Sequence, residues 1–288
     1  MRLFVFGLGY SAQAFIRSAP WTHVAGTVRE AEKARRLRAG GIAAHAFGEC
    51  GADLLEDLRR ADAILISAPP DAGGDPTLNG FADRIASSDA SWIGYLSTTG
   101  VYGDHGGAWI DETIPAAPQS RSSGLRYGAE QAWLELGQRG GRAVHVFRLT
   151  GIYGPGRNAF TSLAQGTARR IVKPGQVFNR IHVDDIASTL AASLLRPRPG
   201  AVYNVTDDEP APPQDVIAYA ARLAGVEPPP EVAFENARMS PTARSFYAEN
   251  KRVSNRLIKD ELGVRLRFPT YREGLDALHA AGEYVQAA

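Results

Sequence analysis

Gly7-Leu8-Gly9-Tyr10-Ser11-Ala12 follows the apolar run 3–6 and leads straight into Gln13-Ala14-Phe15-Ile16-Arg17. This is a G-x-G-x-x-A loop between a strand pattern and a helix pattern. Gly7 allows the tight turn, Gly9 lets the backbone approach a pyrophosphate, and Ala12 keeps the helix close to the strand. The helix start then offers unpaired N–H groups and the positive end of its dipole to phosphates. Such a loop means little alone. Here a strand precedes it, a helix follows, and a second strand comes at the proper distance. The loop is therefore expected to cradle a dinucleotide, with Gly7, Gly9, Tyr10, Ser11 and Ala12 around the phosphates.

Working outward, strand and helix patterns alternate. Residues 23–28 form a second strand, 31–39 a charged helix stopped by Gly40-Gly41, and 42–47 a weaker strand. A buried strand over 63–67 ends at Pro69-Pro70, because proline cannot continue a central ladder. Ser67 and Ala68, at that strand's end, join the expected cofactor residues. Further strands cover 92–97 and 143–149, with a helix from about 124 to 138 between them. Alternation of this kind implies βαβ units and a parallel sheet, with helices on both faces. The expected fold is α/β: a doubly wound Rossmann sheet with a smaller α-rich C-terminal substrate lobe. Residues 1–158 are assigned to the dinucleotide domain, 178–205 return to it, and 159–288 are mainly the substrate lobe.

The end of the second strand bears on which dinucleotide is bound. An Asp or Glu there would bind the ribose 2′-hydroxyl of NAD. This chain has Thr27-Val28-Arg29-Glu30. The planar guanidinium of Arg29 matches a 2′-phosphate, and Lys33, Arg35 and Arg36 thicken the basic patch. NADP is the expected cofactor. Glu30 keeps NAD open as the alternative.

Composition narrows the remaining classes. A formal net charge of +1 over 288 residues gives no field toward nucleic acid or an anionic membrane. The single cysteine, Cys50, excludes an intrachain disulfide and a cysteine zinc cluster. The histidines lack metal-ligand spacing, so no metal is expected. No apolar run spans a bilayer, and 1–6 is too short for a signal peptide. A cytoplasmic protein acting on a small molecule is expected, with a homodimer as the open oligomeric option.

Five further segments occur in order. They are Leu96-Ser97-Thr98-Thr99-Gly100-Val101-Tyr102-Gly103, the stretch from Arg148 through Tyr153-Gly154-Pro155-Gly156-Arg157, Arg180-Ile181-His182-Val183-Asp184-Asp185-Ile186-Ala187, Tyr203-Asn204-Val205, and 251–263. Together they resemble the extended or atypical short-chain dehydrogenases/reductases, close to the NAD(P)-dependent epimerase/dehydratase family, over nearly the whole chain. The resemblance implies a catalytic Ser/Thr at Thr98 and a tyrosine of a Y-x-x-x-K pair at Tyr127. It places Gln131 where the lysine stands. Arg157 and Arg180 fall where related proteins contact a substrate's phosphates. Asp184 or Asp185 is expected to cap a helix from Ile186.

Glutamine carries no charge to lower a tyrosine pKa near 10. Either Arg121, Arg126 or Arg157 supplies that field, or the site no longer performs carbonyl and alcohol chemistry. Thr99 and Gly100, where dehydratases of the family carry Asp-Glu, argue against dehydration. The expected function is an NADP(H)-dependent oxidoreductase, epimerase-like or a simple hydride-transfer enzyme, on a nucleotide sugar or similar substrate. The alternative is a non-catalytic NADP(H)-binding sensor or scaffold.

Overall fold

The computed structural model describes residues 1–48 and 51–284, so Cys50 lies outside the described residues. The first half runs β1 (Arg2–Phe6), α1 (Tyr10–Arg17), β2 (His23–Val28), α2 (Ala31–Ala39), β3 (Ala43–Ala46), α3 (Ala52–Arg59), β4 (Ala63–Ile66), α4 (Pro76–Ala86) and β5 (Trp92–Thr98). A short β6 (Trp109–Ile110) precedes the long α5 (Arg121–Gly140) and β7 (Ala143–Leu149). Then come β8 (Gly151–Tyr153), α6 (Ala159–Ala164), β9 (Arg170–Val172), β10 (Arg180–His182), α7 (Val183–Leu195) and β11 (Ala201–Val205). The chain closes with α8 (Pro213–Leu223), β12 (Glu231–Ala233), α9 (Pro241–Phe246), β13 (Arg252–Val253), α10 (Arg256–Leu262) and α11 (Tyr271–Ala280).

Seven strands form one parallel sheet in the order β11-β7-β5-β4-β1-β2-β3. Their apolar runs are buried on both faces, as a sheet covered by helices requires. On one face Leu3, Val5, Trp92, Phe147 and Tyr203 pack with Phe15 of α1 and Leu190 of α7. On the other, Phe4, Phe6, Ile64 and Tyr95 pack with Leu54 of α3, Phe81 of α4 and Trp133 of α5. A third cluster joins Tyr153 and Phe160 to Val216, Tyr271 and Leu275 of the C-terminal helices.

Strand order runs one way from β1 through β2 to β3 and the other way from β4 onward. The crevice therefore opens between β1 and β4 at their carboxyl ends, the place where doubly wound sheets bind ligands. The sequence pattern finds the strands but passes over α3 and α4. Asp75 caps α4: its Oδ1 accepts from the Thr77 and Leu78 N–H groups at 2.8 and 3.1 Å, ahead of Pro76 in the first turn. The expected cap by Asp184 or Asp185 is also corrected. The ring of His182 caps α7, its Nδ1 accepting from the Asp184 N–H at 3.2 Å. Asp185 instead accepts from the N–H groups of Arg267 and Phe268, tying α7 to the chain before α11.

Close sheet packing leaves no room at Gly26, which pairs with Val5 across β1 and β2. A Cβ there would sit 2.3 Å from the Val5 carbonyl oxygen, and backbone cannot move aside as a flexible side chain can. Gly26→Ala should cost about 1–3 kcal/mol of stability, measured by urea unfolding followed by circular dichroism.

Candidate functional site

The glycine loop stands at the β1–β4 crevice. Gly7 has φ +90°, and a Cβ on it would come within 2.9 Å of the Ala68 nitrogen. The N–H groups of Gly7 and Leu8 both donate to the Thr27 carbonyl, which locks the turn to β2. Gly9 is the N-cap of α1, with no side-chain cap and no acidic residue in the first turn. The first-turn N–H groups are left for an external acceptor. Ser67 and Ala68 donate from their backbone N–H groups to the Phe6 carbonyl at 2.8 and 3.0 Å, and they flank the crevice. The donor set and its dipole thus fit a pyrophosphate. Arg29 is exposed at the end of β2 and makes no hydrogen bond or ion pair among the described residues.

Tyr10 reaches across the crevice and donates from its hydroxyl to the Pro155 carbonyl at 3.0 Å. The Arg157 guanidinium lies 5.9 Å from the Tyr10 ring centroid. A Cβ at Gly154 would sit 2.7 Å from the Tyr10 hydroxyl oxygen, so that turn needs glycine. Arg157, expected at the substrate, thus stands against the phosphate loop as well as lining the cavity.

That cavity has a volume of about 1160 Å³ and runs from Ser11 and Ser67 past Thr98 to Arg157 and Arg180. Arg126, Arg157, Arg169, Arg180 and Lys251 line it, and Glu249 is the one lining carboxylate among the described residues. Glu249 pairs with Lys251. The cavity is therefore cationic. Thr98 accepts from the Gly100 N–H at 3.1 Å, leaving its hydroxyl proton for a ligand.

The α5 helix turns a different stripe to the site from the one the Y-x-x-x-K resemblance implies. Glu130 is fully buried. It accepts two hydrogen bonds from Arg148 Nε at 3.2 Å and one from Nη2 at 2.7 Å, and a further one from the Ser97 hydroxyl. One turn earlier, Arg126 lines the cavity and donates to the Leu96 carbonyl at 2.8 Å and the Tyr95 hydroxyl at 3.3 Å. One residue is a rotation of ~100° about a helix. Tyr127 consequently packs on Val101, Tyr102, Ile110 and Val253, and Gln131 is exposed. The structure brings Thr98, Ser11, Ser67, Arg157 and Arg180 to one cavity and does not bring Tyr127 or Gln131 there. From α5 it is Ser122 and Arg126, four residues apart, that line the cavity, while Glu130 is turned to Arg148. Arg148 was the available signal: a charge in the middle of a buried strand needs a partner.

Arg180 is not a surface charge. Its Nη1 donates to the Phe178 and Ala211 carbonyls at 2.9 and 3.1 Å. Nearby Asp207 is 2% exposed, its Oδ1 accepts from the Glu209 N–H, and its Oδ2 has no partner among the described residues. Burial pushes its carboxyl up to about 8, against the opposing pull of Arg180. Burial also holds His182 down to about 4. The ring is thus neutral, as its Nδ1 acceptor role in the α7 cap demands.

No family model matches the chain. Protein YeeZ of Escherichia coli (strain K12) is 30% identical over 229 residues, 76% of this chain and 76% of its own length. A functionally unknown conserved protein from Silicibacter pomeroyi DSS has a solved structure with 51% identity, a TM-score of 0.88 and coverage of 98% of this chain and 99% of that one. A dTDP-glucose 4,6-dehydratase from Streptomyces venezuelae, solved with NAD bound, has 19% identity and a TM-score of 0.76, covering 97% of each chain. The structural neighbours over nearly the full length include NAD-dependent epimerase/dehydratase family members, and the fold is the Rossmann-like fold of extended short-chain dehydrogenases. Among the described residues, no helix is long and apolar enough to cross a membrane.

Two predictions come from this geometry. Glu130→Ala strands a buried guanidinium and should cost about 3–5 kcal/mol, read from the denaturation midpoint. Asp207 gives a pH signature. Between the ordinary aspartate pKa near 4 and about 8, the folded state holds a proton that the unfolded chain has released. Stability contributed by Asp207 therefore falls as pH rises through that window. Melting curves from pH 5 to pH 8 should show the parent losing more stability than Asp207→Asn.

Proposed function

Starting from a chain that belongs to the family of the Escherichia coli protein YeeZ, we propose that it is an NADP(H)-dependent oxidoreductase of the extended short-chain type, acting on a small molecule in the cationic cavity. The observation that carries this reading is the uncapped start of α1, opening at the β1–β4 crevice beside that cavity. In this reading Gly7, Gly9, Tyr10, Ser11 and Ala12 hold the pyrophosphate, and Ser67 and Ala68 border the dinucleotide. Arg29 takes the 2′-phosphate, and Arg157 adds charge near the phosphates. When bound, the dinucleotide supplies or accepts a hydride. Thr98 then donates its hydroxyl proton in a hydrogen bond to the substrate oxygen. Tyr127, packed away from the cavity, takes no part. Epimerisation and simple carbonyl or alcohol hydride transfer both fit this arrangement, on a nucleotide sugar or a comparable anionic substrate.

One observation favours a second reading, a non-catalytic NADP(H) sensor: no tyrosine–lysine pair occupies the cavity-facing stripe of α5. A panel of carbonyl compounds and nucleotide sugars separates the two. An oxidoreductase oxidises NADPH with at least one of them, whereas a sensor binds NADPH and oxidises it with none.

The cofactor assignment is tested by NADPH and NADH fluorescence titrations of the parent and Arg29→Ala. Loss of one charge-assisted contact is worth about 1.5–3 kcal/mol, so NADPH affinity should fall about 10- to 100-fold while NADH affinity barely changes. Equal losses for both nucleotides, or none, would remove Arg29 from the 2′-phosphate. Tyr127→Phe should leave any turnover nearly unchanged, since the substitution keeps the ring packed on Val101, Tyr102, Ile110 and Val253 and removes only a hydroxyl outside the cavity lining.

A further inference from the structure

We infer that Arg126 is a specificity-determining anchor that binds an anionic oxygen group of the substrate, a carboxylate or a phosphate, beside Thr98. The inference rests on the cavity being the substrate site and names the chemistry it selects. Arg126 is held from behind. β4 pairs with β5 only as far as Ile66 opposite Tyr95, and the Leu96 carbonyl beyond that point accepts from Arg126 Nη1 at 2.8 Å. The same Nη1 donates to the Tyr95 hydroxyl, and the guanidinium carbon lies 5.7 Å from that ring's centroid. Both partners are neutral. No carboxylate among the described residues pairs with Arg126, and Nε and Nη2 keep donors without a protein acceptor. A half-buried cation with its fork preset and no counter-ion is suited to bidentate recognition of an oxyanion group.

The surroundings reinforce this. The amino end of α5 meets Thr98: a Cβ at Gly100 would lie 2.9 Å from the Ser123 hydroxyl oxygen and 3.4 Å from that of Thr98. Ser122 and Ser123 line the cavity in the first turn of a 20-residue helix with no acidic residue in that turn. Hydroxyl donors and the positive helix end therefore sit on the same wall as Arg126. The phosphate loop at α1 is a separate helix start, so the anion at Arg126 is one that the substrate brings. Farther along the cavity Val216, Ile217, Leu275 and the exposed Phe246 present apolar surface. The favoured ligand has an apolar body and an anionic head.

Isothermal titration with paired probes tests this, using benzoate against benzamide and phenyl phosphate against phenol. Parent, Arg126→Lys and Arg126→Gln are each measured with and without saturating NADP⁺. The parent should prefer at least one anion over its neutral partner by about 10-fold, the scale of one charged hydrogen bond. The preference should shrink at high salt, survive in part in Arg126→Lys and vanish in Arg126→Gln. Which pair shows it distinguishes a carboxylate from a phosphate. NADPH affinity should be equal in all three proteins, which also reports intact folding. Equal binding of acid and neutral probes by the parent overturns the assignment, as does a preference that persists in Arg126→Gln. So does a loss of NADPH affinity in Arg126→Gln with an unchanged melting temperature, which would give Arg126 to the cofactor. If the parent binds no NADPH, the cofactor reading fails by itself, because the anion preference is read separately without nucleotide.

Discussion

The buried pair Glu130–Arg148 sets the geometry on which the site depends. Moving both charges out of water costs several kcal/mol each, and only full pairing repays it. Here the pairing is full: the guanidinium fork meets the carboxylate, the Ser97 hydroxyl joins it, and the Tyr102 ring lies 4.7 Å from the Arg148 guanidinium carbon. Tyr102 in turn donates to Asn204 Oδ1 at 2.8 Å. One network thus fastens α5 to the carboxyl ends of β5, β7 and β11. Because it holds Glu130 inward, the helix cannot rotate, and Arg126 must face the cavity.

This explains why the sequence landmarks are better guides to the frame than to the chemistry. Tyr102, Arg148 and Asn204 come from three segments that carry the family resemblance, and all three sit in the buried network. Gly154 is another such residue, needed because Tyr10 leaves no space for a side chain. The positions that would carry proton chemistry are the ones that differ. A chain can keep every framework contact while the group presented to the ligand changes, so fold and reaction must be argued apart.

Most of the fold was legible. Parallel strands buried on both faces read as short apolar runs, and Gly7 to Ala12 had the right neighbours. The helix α4 was passed over because Gly73 and Gly74 stand before it, although Asp75 and Pro76 together form a helix start. The register of α5 was missed for a subtler reason. Tyr127 and Gln131 matched a pattern by residue identity, while the side facing the sheet was fixed by Glu130, a residue that composition assigns to the surface. Its partner lies 18 residues away on another element, a distance at which helix periodicity is silent. His182 as the α7 cap was hidden in the same way, because aspartates beside it fit the usual capping preference better.

An arginine on the cavity wall of α5, where the resemblance implies a tyrosine–lysine pair, changes what that wall can do. A tyrosine with a lowered pKa gives and takes a proton during a reaction. A guanidinium stays charged throughout the neutral range, so it exchanges no proton with a substrate and can only attract and orient negative charge. Its field is strongest where water is scarce, and Arg126 is half-buried on a wall of hydroxyls and a helix start. Hydride transfer can use such a field if negative charge already resides on the substrate or develops beside Arg126. The demand for a proton at the reacting atom then falls on Thr98, solvent or the substrate itself. The constraint that began with a buried carboxylate on α5 thereby selects among reactions, favouring those whose charge the site can hold over those whose proton it would have to supply.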